Sequence, residues 1–309
     1  MATTTELKKR IRGIQDTEKI TNAMYLIASQ KMRKAREDLE RTRPYFEAIR
    51  TEIQRIFRVD ANIENRYFYP PQSEGELHGP VGILAITADK GLAGPYNLNV
   101  IKEVQRLLEE DPEDEKRLFI IGEYGRRYCK EHEIPFEEDF HFTAQQPTIN
   151  RARSIASILL REYYLGNLVK VHIVYTDMSN GMYGSVAHQR MLPFHRADFI
   201  TETVEKEVKT PFDFYPSLGE VLDNIVPSYL AGFIYSALVD SFCTEQSSRM
   251  TAMDTASSNA EELIGKLKVK YNHVRQGAIT QQITEISSGV RSVRNKKETY
   301  QPSESEERP

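Results

Sequence analysis

The chain has 309 residues, of which 39% are hydrophobic and 28% charged, and its formal net charge is −4. This length suggests two structural units, and the composition excludes a fibre or a disordered polymer. We predict no transmembrane segment, because no apolar run reaches the about 20 residues that span a bilayer. The N-terminal stretch includes Glu6, Asp16 and Glu18 and lacks an apolar signal region, while two cysteines lack metal or redox spacing. A reduced protein on the cytoplasmic side, without a targeting peptide, is therefore expected.

Charge is concentrated at one end of the chain. Residues 1–58 contain 14 Lys and Arg against 8 Asp and Glu, a net of +6, whereas the rest of the chain has a net of −10. This asymmetry favours an anionic partner for the N-terminal segment, with a simple solvated helix face as the alternative.

Residues 1–58 predict one long helix with a coiled-coil seam. Ten positions follow one another in alternating steps of four and three, which is the coiled-coil spacing. They are Leu7, Ile11, Ile14, Glu18, Thr21, Tyr25, Ala28, Met32, Ala35 and Leu39. A second apolar row consists of Ile20, Met24 and Ile27. Residues 5–57 would form a helix roughly 80 Å long, which a compact domain does not require.

The middle of the chain predicts an α/β domain over residues 80–208, preceded by a linker at 59–79 that is rich in Asn, Pro, Ser and Gly. Three short apolar runs alternate with three helical patterns, which is typical of a largely parallel sheet covered on both faces. The runs are Val81–Thr87, Leu118–Ile121 and Val169–Tyr175, and the helical patterns are 98–109, 123–133 and 148–165. Turn residues then predict a hairpin to an antiparallel strand, Ser185–Leu192.

The last part of the chain is predicted to be helical over 209–290 and a flexible tail over 291–309. A capping box of Ser217 and Glu220 begins a short helix, and Pro227 begins a second, much longer one. Its seam is Met253, Ala256, Ala260, Leu263, Leu267, Tyr271, Val274, Ala278, Ile279, Ile283, Ile286 and Val290. We expect the two long terminal helices to pair antiparallel around the inserted α/β domain. The tail has too few apolar residues to offset the cost of ordering its backbone.

No motif in the chain predicts catalysis, and no catalytic, cofactor-binding or metal-binding residue is assigned. The nearest candidate for a phosphate loop, Asp89–Gly94, has its lysine before the glycines, so a structural turn is favoured. Two other functions stay open at this point. A nucleotide-using enzyme would require ATP binding by the isolated chain, and a nucleic-acid binder using Lys31–Arg36 would show salt-dependent affinity for DNA or RNA.

Three segments resemble one known family. Ile14–Arg36, Thr87–Asn99 and Ser241–Gly289 are similar to the gamma subunit of rotary F-type ATP synthases. The resemblance implies an α/β fold class: a long antiparallel coiled coil of the N- and C-terminal helices with an inserted Rossmann-like α/β domain. It also implies a central rotor stalk that couples rotation of an ion-driven ring, using protons or sodium, to conformational changes at the ATP sites of an alpha/beta hexamer. Those sites would belong to the hexamer, so no cofactor is expected in this chain.

The resemblance also implies partners and contact residues. The partners would be the alpha and beta subunits, the epsilon subunit and the membrane c-ring, without nucleic acid or direct membrane insertion. The protein would be peripheral, on the cytoplasmic face of a bacterial plasma membrane. Contacts with the hexamer would come from a basic set on the first helix, from three residues of the last helix, and from Met24 beside them on the opposing helix. The basic set is Lys8, Lys9, Arg10, Arg12, Lys31, Arg33, Lys34 and Arg36, and the three residues are Arg275, Gln276 and Thr280. Asn22 departs from the family pattern, which has a lysine there.

Overall fold

The structure is a computed structural model, and it describes residues 3–60, 63–69, 77–110, 114–178, 184–199 and 214–298. The chain divides into two compact units. We call Met1–Ala23 together with Asp254–Pro309 the terminal unit, and Met24–Met253 the sheet unit.

Five α-helices, four strands and one short 3-10 helix form the described part of the chain. They are α1 Thr4–Val59, β1 Val81–Ile86, α2 Tyr96–Glu109, β2 Lys116–Ile121, α3 Glu123–Glu131, α4 Ile149–Tyr164, β3 Lys170–Asp177, β4 Ser185–Leu192, the 3-10 helix Arg196–Asp198 and α5 Leu218–Glu298. The long first helix, the alternating strands and helices, and the antiparallel strand after the hairpin are confirmed.

Two predictions about the last helix were wrong. Pro227 lies inside α5 and does not begin a new helix. The helix also continues eight residues past Val290, where we had placed the start of a flexible tail. Residues 299–309 of the predicted tail lie outside the described residues. A proline at one position removes a single backbone hydrogen bond, and the packing of the flanking turns maintains the helix.

The four strands form one mixed sheet in the order β2-β1-β3-β4. Strand β1 is parallel to both β2 and β3, and β4 is antiparallel to β3. Every residue of β1 is buried, because helices cover both faces of the sheet. Ile83 and Ala85 pack with α2 on one face, whereas Leu84 and Ile86 pack with α1, α4 and α5 on the other.

Part of the predicted linker belongs to the core. Tyr67, Phe68 and Tyr69 are at most 3% exposed. The Phe68 ring packs edge to face against Phe57, with 4.8 Å between centroids, and also contacts Phe194. The turn-forming composition of 59–79 concealed this aromatic anchor, because only tertiary packing determines whether three aromatic residues in a loop are buried.

Helices α1 and α5 run antiparallel in the sheet unit. Gly232 of α5 packs on the ring of Phe46, and Cys243 Sγ donates to the Met32 carbonyl over 3.8 Å. Residue numbers therefore increase along α5 in the direction in which they decrease along α1. Residues 241–247 are buried on all sides of α5. By length and composition α5 could cross a membrane, with a window of mean hydropathy 1.3, but 61% of that window is buried inside the protein.

In the terminal unit the same two helices are joined by polar side chains. The hydroxyls of Thr21 and Ser257 are 2.6 Å apart, and Ser257 Oγ also donates to Asn22 Oδ1 over 3.1 Å. Leu263, which we assigned to the seam, is 49% exposed, whereas its neighbour Ile264 is 7% exposed. The seam prediction was therefore wrong by one residue at Leu263. The predicted positions around it, Ala260, Leu267, Tyr271 and Val274, are buried or half-buried.

Candidate partner-contact surfaces

The C-terminal part of α5 presents an open apolar face. Every residue from 275 to 292 is exposed. Four aliphatic residues spaced by four, three and four positions share one side of the helix. Their exposed fractions are 42% for Ile279, 59% for Ile283, 68% for Ile286 and 63% for Val290. A row of four exposed aliphatic side chains marks an interaction surface.

The opposite side of the same stretch is lined by small and polar residues. They are Gly277, Thr280, Gln281, Thr284, Glu285 and Ser288. At about 100° per residue, they cluster about 160° around the helix from the aliphatic row. This stretch, which we call the α5 end, is therefore amphipathic, and no element among the described residues of its own unit covers it.

The three predicted contact residues of the last helix lie at the beginning of the α5 end. Arg275, Gln276 and Thr280 are all exposed. Thr280 Oγ1 donates to the Gln276 carbonyl over 3.0 Å, so its hydroxyl is used within the helix. The guanidinium of Arg275 and the amide of Gln276 are thus the polar groups of this set that extend from the surface.

Met24 does not lie beside these residues, which corrects our expectation. Thr21 is opposite Ser257, and Val274 follows Ser257 by 17 residues, about 25 Å along the helix. Because the two helices are antiparallel, Val274 lies opposite the beginning of α1, near Thr4. Met24 itself is half-buried.

The basic set on α1 is exposed in both units. Its members are Lys8, Lys9, Arg10 and Arg12 in the terminal unit and Lys31, Arg33, Lys34 and Arg36 in the sheet unit. Arg33 Nε is 3.8 Å from Glu37 Oε1, an exposed pair of little energetic weight. Arg36 differs from the others, because its Nη2 contacts Met178 Sδ at 3.4 Å and so turns towards the end of β3.

The loop Asp89–Gly94 is held by its own hydrogen bonds. Asp89 Oδ2 accepts from the backbone N–H groups of Ala144 and Gln145, each at 3.1 Å, and from the Thr143 hydroxyl. Asp89 Oδ1 accepts from the Glu123 N–H at 3.1 Å. These donors come from α3 and from the segment before α4, so the carboxylate joins three loops at the carboxyl end of the sheet. This arrangement supports the structural turn, which the sequence favoured.

A buried ion pair on α5 fixes the other side of that loop. Arg249 Nη1 is 2.6 Å from Glu245 Oε1, and the two side chains are only 10% and 4% exposed. Arg249 Nη2 also donates to the carbonyls of Gly91 at 3.1 Å and Lys90 at 3.4 Å. Burial raises the pKa of Glu245, and the Arg249 charge opposes that rise. This pair is not among the predicted residues, although a Glu and an Arg four residues apart in a helix are a recognisable sequence signal.

Comparisons with known proteins agree with this architecture. A family model described as ATP synthase matches residues 3–293. The ATP synthase gamma chain of Caldanaerobacter subterraneus subsp. tengcongensis is 40% identical over 293 residues, which cover 92% of this chain and 98% of the relative. The sodium ion specific gamma chain of Acetobacterium woodii is 33% identical and is covered to 98%, with 93% of this chain aligned.

Two solved structures have the same fold. The central stalk and c-ring structure of the Tetrahymena thermophila mitochondrial ATP synthase has a chain with a TM-score of 0.53 and 25% identity, covering 77% of this chain and 99% of that one. A chain of the Euglena gracilis mitochondrial ATP synthase, in its OSCP/F1/c-ring structure, has a TM-score of 0.66 at 15% identity and covers 99% and 98%.

A mixed sheet carried by two long terminal helices is the architecture of an ATP synthase central stalk. The chain belongs to the ATP synthase gamma chain family. It acts as a central-stalk subunit of an F-type ATP synthase, a membrane-associated complex in which it is one component.

Proposed function

We propose that the α5 end and the basic set of α1 contact the alpha and beta subunits of the hexamer, so that each orientation of the stalk favours a different conformation of each beta subunit. The observation that carries this proposal is the open aliphatic face from Ile279 to Val290. A stalk can shift the equilibrium of a partner only through contacts that differ between the partner's states. An asymmetric helix inside a ring of similar subunits provides such contacts.

The apolar face supplies the binding energy in this proposal. Burying a Val, Leu or Ile side chain is worth about 1.5–3 kcal/mol. An isolated helix of this length is marginal in water. The hexamer would therefore both stabilise the α5 end and hold it in position, while the small residues on the opposite side allow close approach.

The charged residues supply orientation. Lys8, Lys9, Arg10, Arg12, Lys31, Arg33, Lys34 and Arg36 would face acidic loops of beta, supported by their exposure and by the net charge of +6 over residues 1–58. Complementary charge mainly sets register and association rate. Arg275 and Gln276 would transmit force between stalk and beta, with Thr280 and Met24 as further contacts.

We also propose that α1 and α5 form an antiparallel coiled coil in the terminal unit. The Thr21–Ser257 hydrogen bond and the reduced exposure of Leu7, Ile11 and Ile14 support this pairing. The sheet domain would be Rossmann-like, which is supported by the parallel strands on both sides of β1. The proposed domains are 1–58, 80–208 and 209–290, with Tyr67–Tyr69 belonging to the sheet core.

The remaining partners are assigned by similarity. The sheet domain would contact epsilon and the c-ring, which is supported by matched chains from rotor and c-ring structures of other ATP synthases. The complex would lie at the cytoplasmic face of the membrane, with this chain peripheral. Its coupling ion would be a proton or sodium, the latter being the ion of the Acetobacterium woodii relative.

Serine substitutions within the α5 end and just before it test the proposal. The double variant Ile283→Ser and Ile286→Ser should assemble with alpha and beta about tenfold more weakly or worse, because two buried side chains are lost. The control Val269→Ser removes an aliphatic side chain that is 72% exposed but lies before the α5 end. Assembly is measured by titrating purified alpha and beta with the gamma variants and following copurification.

A second double variant separates force transmission from binding. Arg275→Ala with Gln276→Ala should lower multisite ATP hydrolysis of the assembled complex while leaving assembly with the hexamer unchanged. Normal assembly of the Ile283/Ile286 variant, with circular dichroism that matches the parent chain, would overturn the proposed role of the apolar face. If the Val269 control lost assembly equally, the proposed location of the contact surface at the α5 end would be wrong.

A further inference from the structure

Two histidines on neighbouring strands form a pair on the face of the sheet that α2 covers. Strands β3 and β4 match Val174 with His188 and His172 with Arg190. His172 and His188 are therefore diagonal neighbours on one face. His172 Nδ1 and His188 Nε2 are 2.6 Å apart, and the two rings are stacked with 4.9 Å between centroids.

The pair opens into a small cavity that is lined by both acidic and basic groups. The cavity has a volume of about 200 Å³, and its polar lining consists of both histidines, Glu110, Asp114, Lys116, Lys170 and Arg190. His188 is exposed and His172 is half-buried. The pair is thus accessible to solvent on the His188 side.

The contact between the rings requires that at least one of the two facing nitrogens carries no proton. The separation of 2.6 Å permits one proton between the two nitrogens, so one donates and the other accepts. An unprotonated imidazole nitrogen is the form that binds metals.

The neighbouring cations have partners of their own. Lys170 Nζ is 3.5 Å from Asp114 Oδ2, and the Arg190 guanidinium lies over the Tyr69 ring, 4.4 Å from its centroid. Lys116 Nζ donates to the Leu108 carbonyl over 3.1 Å. The acidic residues near the pair, Glu103 and Glu110, are both paired with Arg106. Each of these charged groups therefore already has a partner within the chain.

We propose that His172 Nδ1 and His188 Nε2 bind a divalent cation of the Zn²⁺ class between β3 and β4. Zn–N bonds of about 2.0–2.1 Å in tetrahedral geometry place the two nitrogens about 3.3 Å apart, so the rings separate by less than about 1 Å. The proton between the nitrogens moves to the other nitrogen of its own ring, so both imidazoles stay neutral and no proton is released.

Water completes the coordination, since the Glu110 carboxylate is paired with Arg106. Within the residues that the structure describes, no group of three metal-binding side chains is preformed. The site is therefore a two-histidine site of moderate affinity that clamps the edge strand β4 to β3.

Zinc titration of the full-length chain tests this site. Calorimetry with ZnCl₂ at pH 7 should give one zinc per chain, and thermal unfolding should shift upwards with zinc relative to EDTA. The variants His172→Asn and His188→Asn should each lower zinc affinity about tenfold or more, since even indirect metal contacts are worth 10–100-fold. The control His132→Asn removes an exposed imidazole that is bonded to the Tyr128 carbonyl and should leave the affinity unchanged.

Equal melting temperatures of all variants in EDTA would establish that the fold is intact. Of the two histidines, His188 is the exposed one, so its substitution should disturb packing less. Zinc affinity that is unchanged in both pair variants, or a dissociation constant above about 1 mM for the parent chain, would overturn the proposal. The test does not depend on assembly with the hexamer.

Discussion

Two stretches of the same helix, α5, have opposite relations between composition and burial. Residues 241–247 are buried on all sides although they include Ser241, Thr244, Glu245 and Gln246. The α5 end is exposed although it includes Ile279, Ile283, Ile286 and Val290. Burial along α5 therefore does not follow hydrophobicity.

The difference is explained by where each stretch finds its partners. The buried stretch pairs two of its polar side chains inside the sheet unit: Glu245 pairs with Arg249, and Ser241 Oγ accepts from the Thr176 N–H at 3.2 Å. The aliphatic groups of the α5 end have no covering side chains in the described terminal unit. One stretch thus serves folding of this chain, and the other, under the function proposed above, would serve assembly with other chains.

The largest expected effect concerns the buried ion pair. Arg249→Ala leaves Glu245 buried without its counter-charge and releases the Lys90 and Gly91 carbonyls. The free energy of unfolding should fall by about 3–5 kcal/mol, measured by urea unfolding. Lys266→Ala is the control, because it breaks an exposed pair with Glu262 at the same helical spacing and should change nothing measurable. If Arg249→Ala and Lys266→Ala had the same free energy of unfolding, the buried ion pair would contribute no more to stability than the exposed one.

The pH dependence of stability tests the burial of Asp240, which directly precedes the buried stretch 241–247. Burial, with the Asp177 charge added, raises the pKa of Asp240 from 3.8 to about 6, while Arg36 opposes the rise. The folded protein therefore binds this proton more tightly than the unfolded chain, so stability falls as pH rises from about 4 to about 6 and is constant above that range. The effect is worth about 1.4 kcal/mol per unit of pKa difference.

Asp240→Asn should remove that slope. The variant should be more stable than the parent chain at about pH 7.5 and similar to it below about pH 4, as measured by urea unfolding at both pH values. Glu285→Gln on the α5 end is the control and should leave the profile unchanged. A stability difference that is the same at both pH values would show that Asp240 does not titrate as argued.

The smallest effects are expected from two glycines of α5. A Cβ at Gly232 would clash with the Phe46 ring, whereas a Cβ at Gly277 would meet nothing within 4 Å. Gly232→Ala should therefore destabilise the chain by about 1–3 kcal/mol through overpacking, and Gly277→Ala should stabilise it by about 0.5–1 kcal/mol through helix propensity. Opposite shifts in thermal unfolding would sharpen the comparison, and shifts of the same sign would contradict it.

Local patterns were sufficient for much of the fold. All ten positions of the predicted α1 seam are buried or half-buried, and each predicted strand is present. The errors occurred where a local signal competes with packing. Pro227 did not end a helix that the core holds, and the aromatic residues Tyr67–Tyr69 were hidden among turn-forming neighbours.

The sequence by itself determined the periodic elements, the basic N-terminal segment and the family, because periodicity, charge and motif are properties of neighbouring residues. Tertiary structure decided the register of α1 against α5, which separates Met24 from Val274, and the register of β3 against β4, which brings His172 to His188. It also decided which carbonyls Arg249 reaches. These relations join residues far apart in the chain, and a helix or strand presents the same side-chain pattern whichever register its partner adopts.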